Sequence, residues 1–439
     1  MRVPPMTGPI ARLLPAVLTG LALTAPAATA APAYAPVDRP GPPLRVPAAT
    51  LDAALSCSGG IDRATRAPVL LVHGTNANAT ANWSFTYQPA LRARGVPWCA
   101  VELPDWGTND IQRNGEYVVR AIRTIHRRAG RRISIIGASQ GGMLPRWALR
   151  FWPDVRPMVD DLIGLAPSNH GTSVFRDECA AGGCKPAEWQ QRDRSAFITA
   201  LNSGQETFPG ISYTNVYTHS DQTVQPNLDD HGSSSLHGGG GRIANVAIQE
   251  ICPAAFSEHL TTSATDGTAY ALAIDALEHD GPASRERVGA HGCNQPPIPN
   301  ADPLGLILYL PTLLSGAGAT GAVASEPPLA CYVTASCPGD APPAAPAPTP
   351  TPALRLSVRP RTLVAGRTAP VRIRVRDAAG APVAGARVRL AGARARSDRH
   401  GRALLRVRVA RPGRRTARAA KPGWRSATVV VRVRPVARR

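Results

Sequence analysis

The segment Arg132–Phe151, RISIIGASQGGMLPRWALRF, restricts what this chain can fold into more than any other. Its first six residues, Arg132 to Gly137, form an almost unbroken apolar run and read as a buried parallel strand. Gly137-Ala138-Ser139-Gln140-Gly141 follows at once, and Met143 to Phe151 then reads as helix. A G-x-S-x-G sequence between a strand and a helix predicts an abrupt turn, with Ser139 in a strained backbone conformation. Side chains at Gly137 or Gly141 would clash with that turn. The serine hydroxyl is expected above the edge of a sheet, with a helix N-terminus behind it that favours developing negative charge.

The flanking sequence supplies the rest of such a sheet. Pro68–His73 (PVLLVH) and Trp98–Leu103 read as further strands. Between Ile111 and Ala129 a helix is expected, with Tyr117, Ala121 and Ile125 on one face beside Val118 and Ile122. Alternating strands and helices predict an α/β fold whose mostly parallel sheet is flanked by helices.

A serine of ordinary acidity needs a base, and the base needs an acid to orient it. On this kind of turn the chain order is serine, acid, histidine. Seven histidines follow Ser139 before the C-terminal tail: His170, His219, His231, His237, His259, His279 and His291. Ile211–Tyr217 reads as a strand with Asp221 in the loop after it. Arg242–Ile251 reads as the next strand, with His259 beyond its end. Both residues then lie at carboxyl ends of strands, as Ser139 does, whereas Asp229 and Asp230 sit farther off in a Ser/Gly-rich stretch. On spacing alone, an exposed loop histidine and a turn-capping aspartate remain the plain alternatives. The first strand ends in His73-Gly74-Thr75. Thr75 can offer an amide and a hydroxyl to an oxyanion, the amide of Gln140 being the second donor. The plain alternative for Thr75 is a hydrogen bond within its own turn.

Several separated segments, in order, resemble the lipase B family: Leu70–Thr75, Asn114–Val118, Ser139–Gly142, Phe151–Pro153, Ala166-Pro167 with Gly171-Thr172, Thr223–Pro226 and His259–Thr261. The resemblance runs from about Leu51 to Asn294. It implies an α/β-hydrolase fold and a serine carboxylic-ester hydrolase acting on triacylglycerol or other lipid esters through an acyl-enzyme. No metal or cofactor is expected. Ser139 would be the nucleophile, Asp221 the acid, His259 the base, and Thr75 and Gln140 the oxyanion donors. It also implies bridges Cys57–Cys99 and Cys252–Cys293, each closing a loop of about 40 residues worth about 3–4 kcal/mol. Ala138 stands where the fungal form carries a tryptophan, which predicts a roomier pocket on the alcohol side. Asp177–Trp189, clipped by Cys179 and Cys184, reads as an inserted loop at the entrance, and the apolar Leu304–Leu314 as a buried or rim helix lining an acyl channel. An esterase or polyester depolymerase for bulky substrates, an acyltransferase, and a surface-binding protein with an inactive hydrolase body are the competing functions.

The ends of the chain carry separate signals. Residues 1–30 read as a signal peptide: Arg2 and Arg12, an apolar run from Leu13 to Leu23, then Ala28-Thr29-Ala30. Pro15 and Pro26 interrupt a run already short of the roughly 20 residues a membrane span needs. A secreted, extracellular chain is therefore expected. Its eight cysteines fit four disulfides, with Cys179/Cys184 and Cys331/Cys337 as close pairs. No Cys-x-x-Cys or histidine cluster suggests a metal site. Residues 31–339 would form the catalytic domain, and 340–352 (DAPPAAPAPTPTP) a proline-rich linker. In 353–439, alternation as in Val371-Arg372-Ile373-Arg374-Val375-Arg376 predicts a small all-β sandwich resembling bacterial immunoglobulin-like domains. This tail holds 24 arginines and one lysine against Asp377 and Asp398, a charge of +23, and the remainder carries −3 of the total of +20. Such a tail should attract an anionic cell-wall or membrane surface. Nucleic acid is not expected, for want of a base-reading or stacking motif, and the chain is expected to be a monomer.

Overall fold

Strands appear where the apolar runs predicted them, and two more appear where they did not. The computed structural model describes residues 33–180, 182–294, 298–305, 307–308, 311, 320–337, 353–378, 380–422 and 424–436. The expected signal peptide and linker lie outside the described residues. The chain divides into two compact units, Met1–Asp340 and Ala341–Arg439. In the first, β1 (Leu55–Cys57), β2 (Val69–Val72), β3 (Trp98–Val101), β4 (Ile133–Ala138), β5 (Val159–Leu165), β6 (Ser212–Tyr217) and β7 (Arg242–Ala247) form one sheet in the order β1-β3-β2-β4-β5-β6-β7. All neighbouring strands run parallel except β1, which pairs antiparallel with β3.

Side chains alternate across a strand, so each strand serves two cores. Leu70, Val72, Ile133 and Ile135 face a cluster that includes helices α1 (Ile111–Ala129) and α2 (Gln140–Phe151). Val69, Leu71, Ile136 and Ile163 face a second cluster, with helices α3 (His259–Ala264) and α4 (Gly267–Glu278) beyond β7 and α4 contributing Leu272 and Ala273. Helix α1 has the expected limits. Asp110 caps it through Gln112 N (2.9 Å), and Gly130, at φ 69°, ends it in the left-handed conformation. Helix α2 starts at Gln140, three residues before the expected Met143, because the turn leads directly into it. The expected strand Arg242–Ile251 is shorter. Its partner β6 ends at Tyr217 opposite Ala247, so residues 248–251 have no strand to pair with and close a helical turn, Cys252 N to Ile248 O at 2.8 Å.

Strand β5 (VDDLIGL) is interrupted in sequence by Asp160 and Asp161, which hides it from a search for apolar runs. Asp161 is nevertheless buried, and its Oδ2 accepts from the Ser134 hydroxyl at 2.9 Å. Burial, then the adjacent Asp160, pushes its carboxyl up to about 7 from 3.8, against the effect of the Ser134 bond. The unfolded chain thus gives up this proton at lower pH than the folded one. Stability contributed by the protonated form is lost as pH rises through that window, and the loss is complete above about pH 7. Asp161→Asn keeps the shape without the charge. It is expected to raise the unfolding free energy near pH 8 by about 1–4 kcal/mol and to flatten its slope between about pH 4 and 7, read by urea denaturation.

The second unit is all β. Strands β8 (Arg355–Arg359), β10 (Thr368–Arg376) and β13 (Arg402–Arg408) form one sheet. β9 (Thr362–Val364), β11 (Arg387–Leu390), β12 (Ala393–Arg396), β14 (Gly413–Ala420) and β15 (Ala427–Arg434) form another. Alternate residues of both, among them Val358, Ile373, Val407, Val388, Ala417 and Val431, fill one shared core, which makes a sandwich. Asp377 and Asp398 begin turns, with Gly380 N bonding Asp377 O (3.2 Å) and Gly401 N bonding Asp398 O (2.9 Å).

Candidate active site

The turn at Ser139 is built by its glycines. Ser139 has φ 53° and ψ −122°, a strained conformation for a non-glycine residue. A Cβ on Gly137 would lie 1.9 Å from the Gly141 carbonyl oxygen, and one on Gly141 would lie 2.1 Å from Val72 O. No larger residue fits either position. Pro145 contributes as well: lacking an N–H, it leaves the Gly141 carbonyl without its helical donor, and that carbonyl packs against Gly137. The amide of Ser139 donates to Leu165 O (2.8 Å), tying the turn to β5.

Asp221 follows β6 and His259 opens α3 after β7, and folding brings the two together. Both are buried, and His259 Nδ1 lies 2.9 Å from Asp221 Oδ2. The other carboxylate oxygen, Oδ1, accepts from the amides of Thr223 (2.8 Å) and Val224 (2.7 Å). With both oxygens occupied, the carboxylate is fixed as an acceptor and the imidazole carries its proton on Nδ1. Side chains join the two loops: Thr218 Oγ1 donates to Ser257 O (2.7 Å), and Gln222 Nε2 donates to Glu258, the cap of α3 (3.0 Å).

Two residues that the sequence reading passed over hold Thr75 in place. His73 is buried. Its Nε2 accepts from Leu103 N (2.9 Å), so Nδ1 bears the proton and donates to Gly74 O (2.9 Å). Burial pushes this imidazole down to about 4. His73 is therefore a neutral strut for the loop. Gln191 is the second. Its Nε2 donates to Thr75 Oγ1 (2.9 Å) and Ala187 O (3.2 Å), and its Oε1 accepts from Ser168. Gln140 Nε2 also donates to Thr75 Oγ1 (2.9 Å) and to Gly107 O (2.8 Å). Backbone carbonyls thus orient both amides, and the Thr75 oxygen receives two N–H donors. A hydroxyl has two lone pairs and one proton. With both lone pairs taken, the proton is left for an acceptor in the cavity that Thr75 lines.

Gln191→Leu removes one of these donors from the cavity wall and leaves the Thr75 hydroxyl in place. It is expected to lower kcat for a p-nitrophenyl ester about tenfold with KM little changed, because the freed hydroxyl can turn away. Added to Thr75→Val, which should cost about 10²–10³, it is expected to do no further harm. Steady-state kinetics on the two single variants and the double variant check both statements.

The chain is similar to known proteins. The family model described as Lipase (class 2) matches residues 66–247. The crystal structure of lipase B from Aspergillus fumigatus is 28% identical, with a TM-score of 0.60 over 66% of this chain and 73% of that one. Lipase B of Pseudozyma antarctica is 31% identical over 263 residues, 60% of this chain and 76% of that protein. The chain belongs to the lipase B family. It is a carboxylic-ester hydrolase of the α/β-hydrolase type.

In this lipase, Thr75, Ser139 and His259 share one cavity of about 570 Å³, with Ala138, Phe85 and Val224 also in its wall. Asp221 lies behind His259 and does not line it. The expected inserted loop Asp177–Trp189 includes parts of two short helices, Val174–Ala180 and Pro186–Gln190, and Cys179–Cys184 ties the first to the segment just before the second. The second helix leads into Gln191. Of the expectation for Leu304–Leu314, the helix is present at the described residues 304–305, 307–308 and 311, and the channel lining needs correction. Leu304, Ile307 and Leu308 are mostly exposed and do not line the cavity, and residues 306, 309–310 and 312–314 lie outside the described residues. Gly305 packs tightly on Phe85, where a Cβ would come within 2.7 Å, and this contact turns its apolar neighbours outward. All eight cysteines pair, as Cys57–Cys99, Cys179–Cys184, Cys252–Cys293 and Cys331–Cys337. Among the described residues no helix is long and apolar enough to cross a membrane.

Proposed function

We propose that this lipase is exported and cleaves lipid esters, triacylglycerol among them, through an acyl-enzyme on Ser139. The observation that carries this reading is the buried His259–Asp221 pair, whose imidazole lies in the wall of the cavity that Ser139 also lines. His259 Nε2 takes the hydroxyl proton as Ser139 Oγ attacks the ester carbonyl. Asp221 stabilises the resulting imidazolium. The Thr75 hydroxyl and the Gln140 amide, at the first turn of α2, stabilise the oxyanion. His259 then protonates the departing alcohol, and water attacks the acyl-enzyme by the same route to release the acid. Export is supported by four disulfides, the chemistry of an oxidising compartment, and by the signal-like first 30 residues. An apolar substrate is supported by Leu260 in the cavity wall and by the exposed Phe256 three residues before His259. Ala138 in that wall favours bulky esters as a second class.

Two measurements test the reading. A p-nitrophenyl phosphonate is expected to abolish activity and to leave a single adduct, located on Ser139 by peptide mass analysis. Hydrolysis is expected to extend from short p-nitrophenyl esters to emulsified triolein. Labelling at another residue would refute the mechanism. Activity confined to short soluble esters would refute the lipid assignment.

A further inference from the structure

The C-terminal sandwich places arginine directly opposite arginine. In the sheet β13-β10-β8, Arg372 faces Arg359 and Arg374 faces Arg402. In the other sheet, Arg389 lies between Arg394 and Arg418, Arg387 faces Arg396, and Arg414 faces Arg432. All are exposed, because the alternate positions fill the core. Like charges opposite one another destabilise a sheet, and this unit does not relieve them itself. Its two carboxylates cap turns, Asp377 accepting from Ala381 N (2.8 Å) and Asp398 from His400 N (2.9 Å) and Arg402 N (2.8 Å). Among the described residues no guanidinium of these opposed arginines forms a salt bridge with a carboxylate; Arg402 alone lies beside one, its amide and its charge both helping to hold the Asp398 carboxyl below its ordinary value.

We propose that the two outer faces of this sandwich bind a flexible linear polyanion with phosphate groups along its backbone. The arginines form a grid, about 7 Å apart along each strand and about 5 Å between strands, so a chain with closely spaced charges meets a guanidinium at every step. Every basic side chain opposed to another on these faces is an arginine, and the guanidinium fork matches a phosphate's paired oxygens; the fit rests on this geometry, since arginine outnumbers lysine 24 to one in residues 1–352 as well. Charge on both faces points to a flexible chain. A flat membrane meets one face at a time and leaves the other unrelieved, whereas a polymer passes over both. Nucleic acid is disfavoured, because Trp424, the only Phe, Tyr or Trp from 353 to 439, packs partly against the core, so there is no series of rings on which successive bases could stack.

The test uses the full chain and inorganic polyphosphate, followed by fluorescence anisotropy at about 0.15 M ionic strength and then over a salt series. Tight binding with a steep salt dependence is expected. One triple variant, Arg372→Gln/Arg374→Gln/Arg402→Gln, alters one face, and Arg389→Gln/Arg394→Gln/Arg418→Gln alters the other. Each is expected to weaken binding at least about tenfold and to lower the salt slope by about two to three; the combined variant should do both to a greater degree. Hydrolysis of soluble p-nitrophenyl butyrate should be unchanged throughout, which shows that the catalytic unit is intact, and urea denaturation should show the sandwich of each variant still unfolding cooperatively as in wild type. The proposal is overturned if wild type does not bind polyphosphate, or if either triple variant binds as wild type does. It is equally overturned if phosphatidylglycerol vesicles or single-stranded DNA bind more tightly than polyphosphate.

Discussion

Ser139→Ala is expected to lower kcat for p-nitrophenyl butyrate by about 10⁶-fold, leaving only what oxyanion donors and binding provide without a nucleophile. The loss is this large because no other group can substitute. Ser139 alone sits on the strained turn, and the bulk at Gly137 and Gly141 that would relax that turn is forbidden by contacts of 1.9 and 2.1 Å. The pair acts as a unit, so His259→Ala should cost nearly as much, and the double variant scarcely more than either one. Losses that multiplied would mean that the two residues act independently and would refute the shared mechanism. The substitution removes only an oxygen, so urea denaturation should find stability little altered. A variant that lost activity by unfolding would be distinguished there.

Asp221→Asn is expected to cost about 10⁴-fold in kcat with the fold intact. The local geometry gives the reason. Asp221 Oδ1 accepts two backbone amides, from Thr223 and Val224, and these donors remain in the variant. They will hold the one oxygen of the introduced side-chain amide, which obliges its NH₂ group to face His259 Nδ1. That nitrogen must then accept, and the imidazole proton moves to Nε2. A histidine with its proton on Nε2 cannot take one from Ser139. Asp221→Ala removes this enforced tautomer along with the carboxylate, and it is therefore expected to be no worse than Asp221→Asn. If Asp221→Asn retained more than about a tenth of wild-type activity, the carboxylate would not be what sets the tautomer.

The features most legible in sequence were those governed by neighbours along the chain. Helix α1 carries its cap at Asp110, its left-handed stop at Gly130 and its apolar face within one segment, and its limits were read correctly. The same holds for the turn at Ser139 and for the alternation in the C-terminal strands. Strand β5 was missed because two aspartates break its apolar run. Only a neighbouring strand, which brings Ser134 to Asp161, makes a carboxyl tolerable there. Arg242–Ile251 was read too long because its length is set by where β6 ends. The exposed side chains of Leu304, Ile307 and Leu308 have the same kind of origin, in a contact between Gly305 and Phe85 far away in sequence.

The site divides along the same line. The position of Ser139 is legible in sequence because the contact between Gly137 and Gly141 lies within five residues, while Gly141 is required also by Val72 of the neighbouring strand β2. Chain order and strand ends narrowed the acid and base to Asp221 and His259 but left rivals, because seven histidines follow the serine and spacing does not measure distance. Packing of β6 against β7 brings His259 Nδ1 to 2.9 Å from Asp221 Oδ2, a proximity that spacing does not show. Gln191 and His73 carry no local signal: each acts through a hydrogen bond to a loop that lies elsewhere in the chain or turns back on its neighbour. A covalent neighbourhood fixes helix, strand and turn through dihedral angles and short-range contacts. Which remote amide meets the Thr75 hydroxyl depends on the relative placement of β2, α2 and the segment clipped by Cys179 and Cys184, and that is settled only when the cores on both faces of the sheet close.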